Sequence, residues 1–473
     1  MSKKTYALSM FTLTMITVGS VDSIRNLPAT ALFGSNLIVF FLFGACIFLI
    51  PTALVSAELA SGWPKQGGIY IWVKEAFGKP IGFLAIWLQW IENVIWYPTI
   101  LSFVAGTVGY LIDPKLANDP WFLWQVIVLA FWGATYINIQ GMRASGFFSN
   151  LCAISGLLIP MTLIIGLGAM WCLEGNPRAI SFSAESILPR LHDSGLWVSL
   201  TAVIMSFCGI EIATVHANDV ENPQYAFPRA LIYSVLIIVS TLILSSLSIA
   251  IVLPHDSINL VAGIMQAFQA FFQRYQLLWC MPLMALMLVL GGLGGVSNWI
   301  IAPTKGLMVA AGEGNLPTWC QRCNKHGSPV FILVTQAMIV TVLSGLFLFF
   351  PSVNGSYWFL TALAAQLYML MYMIMFLTGI RLRQLQPDHP RGFRIPGGDW
   401  GMYIVSGIGL LGTVLTFIVS FIPPEGILVG SAMRYEGLLS LGLVLMCAPP
   451  FINQAWRRRK ARRTKEEPSA ELV

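Results

Sequence analysis

The sequence predicts an all-α protein that crosses a membrane twelve times, and three observations predict it. The first is composition. Of 473 residues, 56% are hydrophobic and only 10% charged, whereas an ordinary soluble domain carries about 25% charged residues. That leaves too little polar surface to cover a water-soluble globule of this size. The second is a series of long apolar runs bounded by Gly, Pro and charge clusters. Twelve spans of about 21 residues each would fill roughly half the chain, in line with the apolar fraction. The third is the uneven distribution of Lys and Arg between the runs. A soluble enzyme, a nucleic-acid-binding domain and a disulfide scaffold are excluded, and no segment outside the runs is long enough for a separate soluble domain.

The runs fall at 8–32, 36–60, 81–112, 121–140, 147–172, 196–217, 229–253, 276–311, 329–351, 356–382, 400–421 and 433–456. The first follows Lys3 and Lys4, as a signal peptide would. It lacks a small-residue cleavage site and contains Asp22 and Arg25, so it is expected to be a retained helix. The runs at 81–112 and 276–311 are long enough to demand tilt or irregularity. With the N-terminus in the cytoplasm, 21 of the 27 Lys and Arg lie on that side, five lie opposite and Arg25 lies within a span. This asymmetry places both termini inside. The closing run Arg457-Arg458-Arg459-Lys460 with Arg462 and Arg463 can be read as a nucleic-acid or anionic-lipid patch, or as a stop anchor obeying the same rule. The stop anchor is the simpler reading.

Ionisable groups at membrane depth are costly and mark cavities or partners. Asp22 and Arg25 lie in the first run, Glu92 in the third beside Gln89 and Asn93, and Glu211 in the sixth. Glu58 and Lys305 sit near span ends, where snorkelling suffices. Asp22 and Arg25, three residues apart, could neutralise each other on one helix face. Against that, Gly19, Ser20, Ser23 and Pro28 surround them and favour a broken helix. Ser206, Cys208 and Gly209 before Glu211 repeat the pattern. Interrupted helices are tolerated where they line a cavity, and a pair at corresponding positions of a five-plus-five inverted repeat marks the binding site of many secondary transporters.

Other motifs carry less. Gly291-Gly292-Leu293-Gly294-Gly295 has no following Lys-Ser or Lys-Thr and reads as close helix packing. Gly78-Lys79 is followed by Pro80, so no nucleotide-binding loop exists. Cys320 and Cys323 with His326 lack a second ligand pair, and no metal or cofactor is expected. The eight cysteines sit mostly alone in apolar runs as small hydrophobes. A channel would need a continuous polar pore, and an intramembrane enzyme would need a catalytic constellation. Neither is visible.

Four stretches carry a family resemblance. They are Met15-Ile16-Thr17-Val18 leading to Ile24-Arg25-Asn26-Leu27-Pro28, and Pro51 through Ala57-Glu58-Leu59-Ala60 to Pro64 and Gly67-Gly68-Ile69-Tyr70-Ile71-Trp72-Val73. The third is Glu211 through His216 to Glu221-Asn222-Pro223, and the fourth Trp299 through Pro303-Thr304-Lys305-Gly306 to Leu316-Pro317, with Asn324-Lys325. On these the chain resembles the amino acid–polyamine–organocation (APC) superfamily over nearly its whole length and, within it, the glutamate/GABA antiporters.

The resemblance implies a LeuT-like fold with helices 1 and 6 unwound. Residues 1–395 would form a ten-helix core, 396–456 the peripheral helices 11 and 12, and 457–473 a short basic cytoplasmic tail. It implies that the unwound amides at Val21, Asp22 and Ser23 hold a substrate carboxylate, and that the carbonyls of Phe207, Cys208, Gly209 and Ile210 hold its amine. Gln89, Glu92 and Asn93 would form a helix 3 wall, Trp299 a stacking surface, and Glu211 a proton-coupling or gating carboxylate.

The implied protein is an amino acid antiporter, not an enzyme, working by alternating access in a bacterial inner membrane. Its partners would be substrate, protons and lipid but no nucleic acid, and it would be a monomer or a homodimer. Asp22 departs from the family, which usually has a small or apolar residue there. Together with Glu92 and Glu211 it outweighs Arg25. This keeps open an amine or polyamine exchanger, or a proton-coupled symporter, that uses Asp22 as amine ligand. The tail also looks too short for a plug over the cytoplasmic mouth, so tail-gated pH control is not expected.

Overall fold

The computed structural model describes residues 9–65, 67–141, 152, 154–188, 197–213 and 223–466. The chain opens with α1 (Met10–Val21), α2 (Leu27–Ala31), α3 (Leu37–Gly44) and α4 (Ile50–Gly62), then α5 (Ile69–Phe77), α6 (Lys79–Ile112) and α7 (Pro120–Ile139). It continues through α8 (Ile159–Leu173), the single turn α9 (Ala184–Ile187), α10 (Ser199–Phe207), α11 (Ile210–Ala213), α12 (Pro223–Val252) and α13 (Gly263–Arg274). The last part holds α14 (Met281–Gly312), α15 (Val330–Ser344), α16 (Leu346–Phe349), α17 (Val353–Leu385), α18 (Gly398–Val419) and α19 (Ala432–Glu466). Among the described residues there is no strand.

Ten of the twelve apolar runs become helical segments long and apolar enough to cross a bilayer. They leave large apolar side chains uncovered, Leu129, Val342 and Leu411 each being more than 70% exposed. Such faces are costly in water and suited to lipid. The other two runs, 8–32 and 196–217, are interrupted among their described residues. Of the sixth run, residues 196 and 214–217 lie outside the described residues, as do His216, Glu221 and Asn222 of the third resemblance stretch.

Both interruptions have local causes. Helix α1 starts on the Ser9 side chain, which accepts from the Thr12 amide, and stops where the Asp22 amide closes on the Val18 carbonyl. Ser23 is extended (φ −142°, ψ 113°), and a short turn over Ile24–Asn26 leads into α2, whose first turn carries Pro28. Proline suits that place because its missing N–H would have no partner there. In the sixth run Cys208 is extended (φ −69°, ψ 146°) and Gly209 takes φ +107°, a conformation that side chains resist.

The long helix α6 packs along α14 and α17, and α17 lies against α18. The run Gly291–Gly295 of α14 works as expected: a Cβ on Gly291 would strike the backbone of Gly156, and one on Gly294 the side chain of Cys152. Glu58 corrects the snorkelling expectation. It is 1% exposed, and Arg383 grips both its carboxylate oxygens at 2.6 Å. Of Lys305 only the backbone is described. Helix α19 runs unbroken past Trp456 to Glu466, so the basic segment begins as part of that helix.

Candidate functional site

The two interruptions open onto one cavity of about 180 Å³. That volume suits a single small metabolite better than a drug-sized ligand. Its wall includes Val21, Asp22, Ser23 and Arg25 from the first break, Met205 and Cys208 from the second, Glu92, Asn93 and Trp96 from α6, and Trp299 from α14.

Peptide dipoles give the cavity its polarity. The short turn over Ile24–Asn26 lines the space, and N–H groups at the start of such a turn carry partial positive charge. Helix α10 ends at Phe207 beside Cys208, so its last carbonyls bring partial negative charge to the same space.

The ionisable side chains are held separately. The Asp22 carboxylate accepts a hydrogen bond from Thr241 of α12 at 2.9 Å, and among the described residues its buried Oδ1 has no hydrogen-bond partner. Arg25 donates from Nη1 to Thr99 (2.7 Å) and Tyr357 (3.2 Å) and lies 5.2 Å over the Trp96 ring. Among the described residues its Nε has no hydrogen-bond partner. The Asp22–Arg25 pairing that the spacing allowed does not form, in keeping with the broken helix. The helix stops between the two residues, the three-residue spacing no longer sets a common face, and each finds its partners elsewhere. Glu92 accepts from the Asn93 side chain at 3.0 Å, and the Trp96 and Trp299 rings meet at 5.8 Å.

Glu211 does not line the cavity. Its carboxylate accepts from the Tyr368 hydroxyl at 2.6 Å, the Tyr372 hydroxyl at 2.5 Å and the Gln89 amide at 3.3 Å. Tyr368 is itself part of the cavity wall. Tyr372 also accepts from the Gly209 amide at 3.1 Å, so the second break is tied through one hydroxyl to Glu211. Of the expected site residues, Gln89, Phe207, Gly209, Ile210 and Glu211 stand behind the wall and the others form part of it.

Sequence reading missed Trp96, Tyr357, Tyr368 and Tyr372. One signal was available. Tyr357, Tyr368 and Tyr372 occupy one apolar run at spacings that share a helix face, and a buried tyrosine hydroxyl needs a partner.

The chain matches the family described as amino acid permease over residues 8–444. It is 46% identical over 451 residues to an uncharacterized transporter of Legionella pneumophila, covering 95% of this chain and 97% of the relative. It is 30% identical to a glutamate/gamma-aminobutyrate antiporter of Lactococcus lactis, covering 98% and 93%. A probable agmatine/putrescine antiporter of the same species is 21% identical, covering 80% and 79%.

Proposed function

This chain belongs to the amino acid permease family, whose members are membrane transporters and not enzymes, and from that premise we propose that it is a glutamate/GABA-type amino acid antiporter working by alternating access. One observation carries the reading: a half-helix N-terminus and a half-helix C-terminus open onto the same small cavity. A substrate carboxylate meets the amides at Ser23 and the turn that follows, the Asp22 amide being held by the Val18 carbonyl, and its ammonium meets the carbonyl at Cys208, the one residue of 207–210 in the cavity wall. Trp299 stacks on the bound molecule, and Glu92 and Asn93 close the α6 side.

In this reading the broken runs are helices 1 and 6 of a LeuT-like five-plus-five repeat in residues 1–395. Helices α18 and α19 flank that core in a bacterial inner membrane, with both termini cytoplasmic. Glu211 takes and releases a proton as the transporter switches. Tyr368 reports cavity occupancy to it, and Tyr372 links it to the unwound Gly209.

A second reading is favoured by the unpartnered Oδ1 of Asp22. A buried carboxylate oxygen beside a cavity can serve as an amine ligand, which would make the substrate a di- or polyamine. Thermal stabilisation of the purified protein by amino acids, GABA, putrescine and agmatine separates the two. Stabilisation by glutamate or GABA that survives Asp22→Ala supports the amino acid antiporter. Stabilisation by amines alone, lost in Asp22→Ala, replaces it with the amine exchanger.

A further inference from the structure

A second concavity lies between the start of α6 and the end of α19, away from the central cavity. Its volume is about 390 Å³. Pro80, Ile81 and Leu84 form one wall, Pro450 and Phe451 the other, and Asn315, Asn453 and Arg457 close one end.

Prolines account for its shape. Pro449 and Pro450 stand inside α19 and supply no N–H to its ladder. The carbonyl that Pro450 leaves open is that of Met446, and the Trp87 indole N–H donates to it at 2.8 Å. That bond pins α19 to α6. Further along, the Asn453 amide donates to the Asn315 carbonyl and Arg457 Nη1 donates to Asn315 Oδ1 at 3.3 Å, pinning α19 to the turn after α14. The groove lies between the pins.

Its apolar walls open outward, Phe451 being 55% exposed and Ile81 37%. Trp456, also exposed, belongs to the type that settles at the membrane–water boundary. The closed end is cationic. Arg457 is exposed and Lys79, next to Pro80, has a side chain 60% exposed. The nearby acid, Glu313, is held chiefly by Lys74 at 2.6 Å and Tyr70 at 2.9 Å, and the Lys79 ammonium lies farther off, 3.6 Å from its Oε2. Beyond Arg457 the helix carries the sequence Arg458-Arg459-Lys460, then Arg462 and Arg463.

We propose that this groove binds an anionic phospholipid, with the phosphate at Arg457 and Lys79 and an acyl chain between Ile81 and Phe451. Charge complementarity selects the occupant. Clustered cations at the end of a membrane helix attract acidic headgroups, and basic pockets between helices hold them. A soluble anion would leave the apolar walls unused.

The test uses the full-length protein in uncharged detergent, titrated with phosphatidylglycerol or phosphatidylcholine. Thermal unfolding is followed while retained lipid is counted by native mass spectrometry. Phosphatidylglycerol is expected to raise Tm by about 2–5 °C and to be retained, and phosphatidylcholine to do neither. Lys79→Gln with Arg457→Gln should abolish both effects, while Arg434→Gln near the far end of α19 should keep them. If the double variant does not fold, Arg457→Gln against the charge-preserving Arg457→Lys makes the same comparison. Equal responses to the two lipids, or an undiminished response in Arg457→Gln, overturn the proposal. Neither outcome depends on what the central cavity binds.

Discussion

Glu58 and Arg383 stand 325 residues apart in sequence and meet in a bidentate pair, each carboxylate oxygen 2.6 Å from a different guanidinium nitrogen. Both side chains are essentially without exposure. The pair fixes the end of α4 to the end of α17. Arg391 adds a second cation 3.2 Å from Oε1, and the Ile395 amide donates to Oε2 at 2.8 Å. The loop between α17 and α18 thus folds back over a carboxylate that it helps to neutralise. Burial at the edge of the Glu58 cluster pulls the Arg391 guanidinium below its ordinary value, partly offset by the Glu58 charge.

Removing one member of this pair should be far worse than removing both. A buried charge left alone costs about 3–5 kcal/mol, whereas replacing a whole pair by apolar groups is often close to neutral. Glu58→Gln and Arg383→Met are each expected to lower Tm and yield sharply. Glu58→Met with Arg383→Met should recover much of the loss, with Arg391 the remaining unpaired cation. Unfolding curves of the four proteins decide it, and additive losses in the double variant would reject the coupling.

Glu211 should govern how transport depends on pH without governing how tightly substrate binds. Its carboxylate stands behind the wall, reached through Tyr368, so Glu211→Gln leaves the cavity lining in place. In proteoliposomes the variant is expected to lose most of the pH dependence of exchange, with apparent substrate affinity changed by less than about threefold. An unchanged pH profile would remove Glu211 from the coupling role. Tyr372→Phe provides the companion measurement, because it cuts both the Glu211 bond and the tether to Gly209.

The sequence made the breaks legible because their causes are local. Ser23, Pro28 and Gly209 act on the backbone within a few residues of themselves, and no distant partner is needed to predict an interruption. Partners were a different matter. Glu58 and Glu92 are each a lone carboxylate in an apolar run, told apart in sequence only by Glu58's place near the run's end and by Gln89 and Asn93 beside Glu92. Hydropathy cannot say that one meets Arg383 while the other borders a cavity. Arg25 has Asp22 three residues away, yet it goes to Thr99 and Tyr357. Helical periodicity fixes which side of a helix a residue occupies, and only the packing of α6, α12 and α17 decides what that side meets.

Gly209→Ala should test whether the second break is held by its backbone. At φ +107° a Cβ is strained whatever space surrounds it, and such conformations cost about 1–3 kcal/mol in residues other than glycine. The variant is expected to lose stability and to transport poorly. Gly166→Ala, at a helical position with open space around it, should be neutral or slightly stabilising. Equal behaviour of the two alanine variants would mean that the 208–209 backbone relaxes without strain.

Glu313 sets an acid-side stability limit with a definite sign. The Lys74 ammonium, hydrogen-bonded at 2.6 Å, holds its carboxyl below the ordinary value of 4.5, and Tyr70 and Lys79 act in the same direction against partial burial. A carboxyl with a depressed folded-state pKa stabilises the fold fully above its unfolded value, and that stabilisation is lost as pH falls through the folded value. Glu313→Gln should therefore lower Tm at about pH 7, and the gap to wild type should close as pH falls below 4.5 and through the lower folded value. The carboxylate side chain is 27% exposed, so salt screens it, and the gap should also shrink at about 0.5 M salt. Thermal unfolding across pH and salt reads both effects. A gap that persists unchanged into acid would mean that Glu313 stabilises the turn after α14 through its neutral hydrogen bonds and not through its charge.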